Sequence, residues 1–161
     1  MTPPSRSRQS RSGRILAIDP GEKRIGVAAA DLRTRVAVPL TTIEPGGDPV
    51  EAVARVAEEE GAEAIVVGLA ISLSGAVGPQ AQRAQSLADA LARRLDIPVH
   101  TWDERLTSAE ARSRLSRPNG RASARGGRPS RAKRGRGDVD ALAAAIILQA
   151  FLDSRRRAAS G

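Results

Sequence analysis

The sequence predicts a mixed α/β fold, a five-stranded sheet with helices on both faces, and three observations carry that expectation. Apolar runs at about Arg14–Asp19, Arg24–Ala30 and Arg35–Thr42 follow one another with only short turns between them, which makes an antiparallel meander. Ala64-Ile65-Val66-Val67-Gly68-Leu69 is an unbroken apolar run bounded by turn signals, the pattern of a central parallel strand covered on both sides. Stretches with apolar residues at helical spacing then alternate with strands through the rest of the chain. At 161 residues there is room for one domain with a single core.

Each element has a local reason. Residues 1–13 (MTPPSRSRQSRSG) are polar and basic without periodicity and are expected to form a disordered arm. The first strand ends in Asp19, where Pro20-Gly21 turns the chain into the second. After the Pro45-Gly46-Gly47-Asp48-Pro49 break, Val50, Val53, Val56 and Ala57 recur at helical spacing and Gly61 closes the helix. The Ser- and Gly-rich segment Ala70–Gly78 is a loop, and a helix follows over about Pro79–Leu95 with proline suited to its first turn. Ile97–Trp102 is the last strand, ending in Asp103-Glu104-Arg105. Thr107 and Glu110 fit a capping box for a short helix over Thr107–Leu115. A final helix is expected at about Asp138–Arg155, with Asp138 as its N-cap and an apolar stripe of Val139, Leu142, Ala143, Ile146, Ala150 and Phe151. The domain therefore spans 14–155, with 156–161 as a tail.

Composition narrows the chemistry. The chain carries a net charge of +8 with no cysteine and a single histidine, His100. Disulfides and thiolate metal sites are excluded, and zinc chemistry or a histidine-based triad lacks its usual residues. A metal site would have to be made of carboxylates, which favours Mg²⁺ or Mn²⁺. The positive charge is bunched: from Ser116 to Gly137 there is no acidic and no large apolar residue, but Arg117, Arg121, Arg125, Arg128, Arg131, Lys133, Arg134 and Arg136 all occur. A solvated linker is the plain reading of such a loop; eight cations without an acid favour a clamp on a polyanionic backbone. With Trp102 and Phe151 as the only large aromatics, affinity for nucleic acid would come mainly from charge. No apolar stretch is long enough to span a bilayer and Met1–Gly13 has no apolar leader, so no membrane partner is expected and the cytoplasm is the expected location.

Three acids lie far apart in sequence but at suggestive places. Asp19 ends the first strand, Asp103 and Glu104 end the last, and Asp140 sits in the first turn of the last helix. In open α/β sheets, ligands favour the crevice beyond the carboxyl ends of the strands. Each acid also has an ordinary explanation: Asp19 opens a turn, and Asp140 is favoured by the helix dipole. The small Ala143 and Ala144, however, leave the last helix free to lie close to the sheet and bring Asp140 near Asp19. Gathered carboxylates repel unless a cation sits among them.

The element order matches the ribonuclease H-like layout, and four motifs in sequence carry a resemblance. Ile18-Asp19-Pro20-Gly21-x-Lys23-Arg24-Ile25-Gly26-Val27-Ala28, then Val67-Gly68-Leu69 leading to Gly75, then Asp103-Glu104-Arg105-Leu106-Thr107-Ser108-x-x-Ala111, then Val139-Asp140-Ala141-Leu142 running to Gln149, resemble the YqgF/RuvX family of pre-16S rRNA nucleases, also described as Holliday junction resolvase-like. The resemblance spans roughly Arg14–Leu152. It implies a ribonuclease H-like fold, a divalent-metal nuclease acting on structured RNA or junction DNA, and a part in maturing the 5′ end of 16S rRNA. Matched motif by motif, the acids it implies as catalytic and metal-binding are Asp19, Glu104 and Asp140, with Asp103 in reserve for Glu104. Two positions depart from the pattern: Pro20 stands where the family usually has Tyr or Phe, and Ala70 where it usually has Pro.

Lys23 and Arg24 beside the first acid, Arg105 beside the last, and the 116–137 loop are the candidate nucleic-acid contacts; Lys23 and Arg24 otherwise read as solvated hairpin charges and Arg105 as a partner for a nearby acid. The alternatives are a resolvase of four-way DNA junctions, which calls for two active sites and hence a homodimer rather than a monomer, and a non-catalytic ribosome- or transcription-associated RNA-binding module using the fold as scaffold. A nucleotide phosphotransferase of related fold would need a second lobe for which the chain lacks the length.

Overall fold

The computed structural model describes residues 13–72, 74–107 and 136–161, with the side chains of 136–138 excepted. Most of the expected N-terminal arm and all but Arg136 of the basic positions of the 116–137 loop lie outside the described residues. Eight elements run in the order β1 (Arg14–Pro20), β2 (Ile25–Asp31), β3 (Ala37–Ile43), α1 (Pro49–Glu60), β4 (Ala62–Leu69), α2 (Pro79–Arg94), β5 (Val99–Asp103) and α3 (Arg136–Ser160). The sheet has the order β3-β2-β1-β4-β5. β1, β2 and β3 form the antiparallel meander, while β4 pairs parallel with both β1 and β5.

Period-two alternation divides β1 between two cores. Leu16 and Ile18 join Val27, Ile65 and Val67 beneath α1 and α2, which contribute Val53, Ala57, Leu87 and Leu91. Ile15 and Ala17 face the other way, with Ala28, Ala30 and Val66, and are covered by Ala144, Leu148 and Phe151 of α3. Ile65, Val66 and Val67 have no exposed surface at all, as expected of a strand sandwiched between helical layers. α1 starts where Asp48 accepts a hydrogen bond from the Val50 backbone N–H (2.9 Å) and stops at Gly61, whose left-handed conformation (φ 63°) ends the helix.

The last helix is rotated from the expected stripe. Val139, Leu142 and Ile146 are 58%, 42% and 42% exposed; Ala150 and Phe151 of the expected stripe are buried, in a face completed by Ala141, Ala144, Ala145, Ile147, Leu148 and Leu152. The reason lies in the floor beneath it. The strands present Ala17, Ala28, Ala30 and, one step further, Gly26, so the helix descends on its alanines, and its larger residues at 139, 142 and 146 are carried outward. A Cβ built on Gly26 would lie 2.0 Å from the Asp140 carbonyl oxygen and 3.0 Å from the Ala141 nitrogen.

Three boundaries also differ. β5 runs one residue further than expected, to Asp103. A helical turn begins at Glu104, so Thr107 lies inside it and is no N-cap; its buried hydroxyl accepts from the Trp102 indole N–H (2.6 Å), and Asp103 instead accepts from the Arg105 backbone N–H (3.0 Å). α3 starts at Arg136, which puts Asp138 within its first turn instead of at the N-cap, and it continues to Ser160 because Arg155, Arg156, Arg157, Ala158 and Ala159 are good helix formers with cations favoured at that end.

The close approach at Gly26 predicts a measurable cost. Gly26→Ala forces backbone against backbone and is expected to destabilise the protein by about 1–3 kcal/mol, the range for overpacking. At Gly68 an added Cβ would meet only the ends of two side chains, Ile147 Cδ1 (2.7 Å) and Glu104 Oε1 (2.8 Å). Gly68→Ala should therefore have the smaller effect in a denaturant titration.

Candidate active site

Asp19 is placed by strand pairing. It lies opposite Gly26 of β2, and since Ile18 pairs with Val67, Gly68 of β4 follows beside it. Asp19, Gly26 and Gly68 continue the α3-facing rows Ile15-Ala17, Ala28-Ala30 and Val66, so all three lie on the same face of the sheet at the carboxyl end of β1. The glycines leave two openings beside the aspartate. Asp140 enters over Gly26, its backbone in the space a side chain would take, and Glu104 enters over Gly68. Glu104, from a post-strand turn, and Asp140, from a helix start, thus flank Asp19 at the strand end.

Their electrostatics show the crowding. Glu104 hydrogen-bonds Asp19, and burial, then the Asp19 charge, then that hydrogen bond, then Asp103 push its carboxyl from an ordinary 4.5 up to about 7. Asp19 is also raised: burial outweighs the hydrogen bond from Glu104, and the Asp140 charge adds to it. The pair therefore holds a proton near neutrality. The turn carrying Glu104 is braced from behind: Trp102, whose indole bonds Thr107, packs edge-on against Phe151 at 5.9 Å.

Asp103 is set apart from this cluster. Its carboxylate is gripped by the Arg105 guanidinium (Nε to Oδ2 2.9 Å, Nη2 to Oδ2 2.6 Å), which holds its pKa below the usual carboxylate range. Of the two neighbouring acids, it is Glu104 that meets Asp19, and Arg105 is engaged by Asp103. Arg24 Nε reaches Glu44 at 3.2 Å, and Lys23 is exposed on the same hairpin loop. Arg136 is the first residue of α3.

The donor chemistry fits a hard, oxygen-seeking cation: the three neighbouring groups are all carboxylates, and Asp19 and Glu104 hydrogen-bond each other. Among the described residues no three His, Cys, Asp or Glu side chains close on a common point, since Asp19 and Glu104 are turned to each other and Asp140 acts on Asp19 through space. Gly26 and Gly68, which open the floor for two of the acids, and the Trp102–Thr107 bond were not singled out in the sequence as site features. The available signal was that both glycines fall on the face and row of Asp19.

A five-stranded sheet of this order, an antiparallel meander continued by two parallel strands with helices on both faces, is a ribonuclease H-like fold. A family model described as RuvX, Holliday junction resolvase, matches residues 13–154, and the chain belongs to that family. Curated relatives that carry the provisional name pre-16S rRNA nuclease include one from Chloroflexus aggregans, 44% identical over 88% of this chain and 94% of its own, and one from Thermobifida fusca, 43% identical over 91% of each. Among solved structures, Thermus thermophilus RuvC in complex with a Holliday junction substrate superposes with a TM-score of 0.50 at 18% identity, covering 89% of this chain and 96% of that one, which shows the shared fold.

The Glu104 shift has a defined sign. Because its pKa rises on folding, the folded protein keeps a proton that the unfolded chain releases between 4.5 and about 7. The stability this group contributes is full below its unfolded pKa and is lost as pH rises through 7. In chelator, the thermal midpoint should fall more between about pH 5 and about pH 8 in the parent than in Glu104→Gln, the difference between the two isolating this group.

Proposed function

We propose that this chain is a divalent-metal nuclease that cleaves phosphodiester bonds of structured RNA, with the 5′ end of pre-16S rRNA as substrate and the cytoplasm, beside the ribosome, as its place of work. The observation that carries the reading is the neighbourhood of Asp19: Glu104 hydrogen-bonded to it and Asp140 delivered beside it by a helix start, at one sheet rim. The names of the curated relatives support the choice of substrate.

On this reading Asp19, Glu104 and Asp140 hold Mg²⁺ or Mn²⁺. A divalent ion supplies Lewis-acid stabilisation of charge on the phosphate and makes water acidic enough to attack near neutral pH. The protein's own contribution is positional. β1 fixes Asp19 in the sheet, the braced turn aims Glu104, and the start of α3 adds Asp140 where the helix dipole favours negative charge, by about 0.3–1 kcal/mol. Lys23 on the hairpin tip engages a phosphate next to the scissile one, and the cations of the 116–137 loop hold the backbone without reading sequence. Arg24 and Arg105 act through their carboxylate partners Glu44 and Asp103, which keep their guanidinium groups oriented at the rim.

A second reading, cleavage of four-way DNA junctions, is favoured by the description of the matching family as Holliday junction resolvase. Symmetric junction cutting requires two active sites, so it predicts a homodimer. Relative cleavage of junction DNA and precursor rRNA, with sedimentation of the same preparation, separates the two.

Asp19→Asn and Asp140→Asn are each expected to lower metal-dependent cleavage by more than about a hundredfold, since even outer-shell partners of a metal are worth 10–100-fold. Binding of the same RNA in chelator should be largely kept. Normal cutting by either variant would show that the acids are misassigned. Replacing Arg117, Arg121 and Arg125 by Ala should flatten the salt dependence of binding by about 0.7–0.9 in log–log slope for each phosphate left without its cation, and an unchanged slope would remove the loop from the interface.

A further inference from the structure

The hairpin that carries Asp19 has a second side. Strand alternation puts Asp19 on the α3 face and the next residue, Pro20, on the face of α1 and α2. There a cavity of about 340 Å³ lies between the hairpin, the loop before α1 and the start of α2. That volume is at the small end of ligand sites, roughly 300–1,000 Å³. Pro20, Ile25, Ile43, Pro45 and Leu87 give it an apolar lining, and Lys23, Gln80 and Arg83 stand at its rim. The wall made by the loop before α1 depends on two glycines at positive φ, Gly46 (127°) and Gly47 (72°).

The charges at the rim are not balanced. Glu44 is paired with Arg24 at 3.2 Å, which leaves Glu22 against two cations, Lys23 and Arg83. Both cations are exposed, and among the described residues neither has a carboxylate partner. An apolar slot with unpaired cations at its mouth suits a nucleobase inside and a phosphate outside. The two large aromatics are not available for stacking on this side, since Phe151 is buried between α3 and the sheet and Trp102 packs against it. Apolar walls can grip an unstacked base in their place.

The geometry points to a single-nucleotide subsite in this cavity, which takes one unpaired nucleotide of the RNA strand next to the scissile phosphate, its base against Pro20, Ile25 and Leu87 and its phosphate on Arg83 and Lys23. This rests on the nucleic-acid reading of the acidic rim. A strand with its phosphate at Asp19 that continues over the Gly21–Arg24 turn arrives at this mouth. The subsite makes the enzyme a reader of single-stranded flanks beside helical RNA, and it gives α2, remote from the carboxylates, a direct part in choosing the substrate.

The test separates binding from cleavage by using Asp19→Asn protein in chelator. The probe is a fluorescein-labelled RNA hairpin with a single-stranded 5′ extension, together with a set of the same RNA carrying one abasic nucleotide at each extension position. One position is expected to weaken binding roughly tenfold, within the range one base contact contributes. Arg83→Glu should weaken binding of the intact RNA by a similar factor and abolish the abasic penalty, whereas Arg83→Lys retains most of the affinity, both melting like the parent. Gln80→Trp, which fills the mouth, should also erase the penalty. The proposal is overturned if no position is sensitive, if the penalty persists in Arg83→Glu and Gln80→Trp, or if AMP alone binds as tightly as the extension, which would make the cavity a free-nucleotide site. Failure of the parent to cleave RNA would sink the nuclease reading and still leave this measurement readable.

Discussion

Helix α3 lies close to the sheet because the surface beneath its first turns has almost no side chains. Ala17, Ala28 and Ala30 form the floor, Ala141, Ala144 and Ala145 form the underside of the helix, and at Gly26 the strand gives up even its Cβ. The helix backbone at Asp140 occupies the space so vacated, directly over the cross-strand neighbour of Asp19. Without that close approach the third acid would stand a side chain's thickness further away. Gathering carboxylates is unfavourable, as the raised pKa values of Asp19 and Glu104 record. The rest of the core offsets it: Leu16, Ile18, Val27, Ile65, Val66, Val67, Leu91 and Leu148 are fully buried, each stabilising the fold by about 1.5–3 kcal/mol.

How much of this was legible in the sequence depended on the kind of signal. The meander, the buried β4 and the Gly61 end of α1 were readable because alternation, continuous apolarity and a glycine closing a helical run each admit few conformations. The first half of the α3 stripe was misread, while Ala150 and Phe151 were read correctly, because there Val139, Leu142 and Ile146, larger than the buried Ala141, Ala144 and Ala145, look more like core. Only knowledge that the opposing strands carry alanine and glycine selects the alanines. Thr107 was misread for a related reason: the capping-box spacing is local, whereas its bond to Trp102 depends on where β5 ends. That Asp19, Glu104 and Asp140 stand at element ends was visible in the sequence, but the two glycines over which Glu104 and the Asp140 backbone approach became meaningful only once strand register placed them beside Asp19.

The β1–β2 hairpin links the two sites. Its turn is tied by the Gly21 N–H to the Arg24 carbonyl (2.8 Å) and by Arg24 to Glu44 of the strand end beyond β3. One residue, Asp19, faces the acids and the next, Pro20, faces the cavity, so any tilt of the hairpin would move both together. On the proposed reading, this coupling lets a single turn serve as the reference point for the scissile phosphate and for the nucleotide next to it.

Asp103 and Glu104 show how the fold differentiates two adjacent acids. Strand geometry sends successive side chains to opposite sides, and the helical turn that starts at Glu104 completes the separation. Asp103 is left beside the guanidinium of its own near neighbour, ionised and satisfied. Glu104 is carried toward α3, half-buried and against Asp19, and its carboxyl is pushed up to about 7. A group already paired with arginine gains little from a metal, because the ion would first have to displace a bidentate partner. A half-buried group whose pKa is raised by burial and by a neighbouring carboxylate gains the most. The same energetic contrast that makes Asp103 a structural anchor for the turn therefore makes Glu104 the acid whose ionisation a divalent ion would favour, and it follows from one change of direction in the backbone between two consecutive residues.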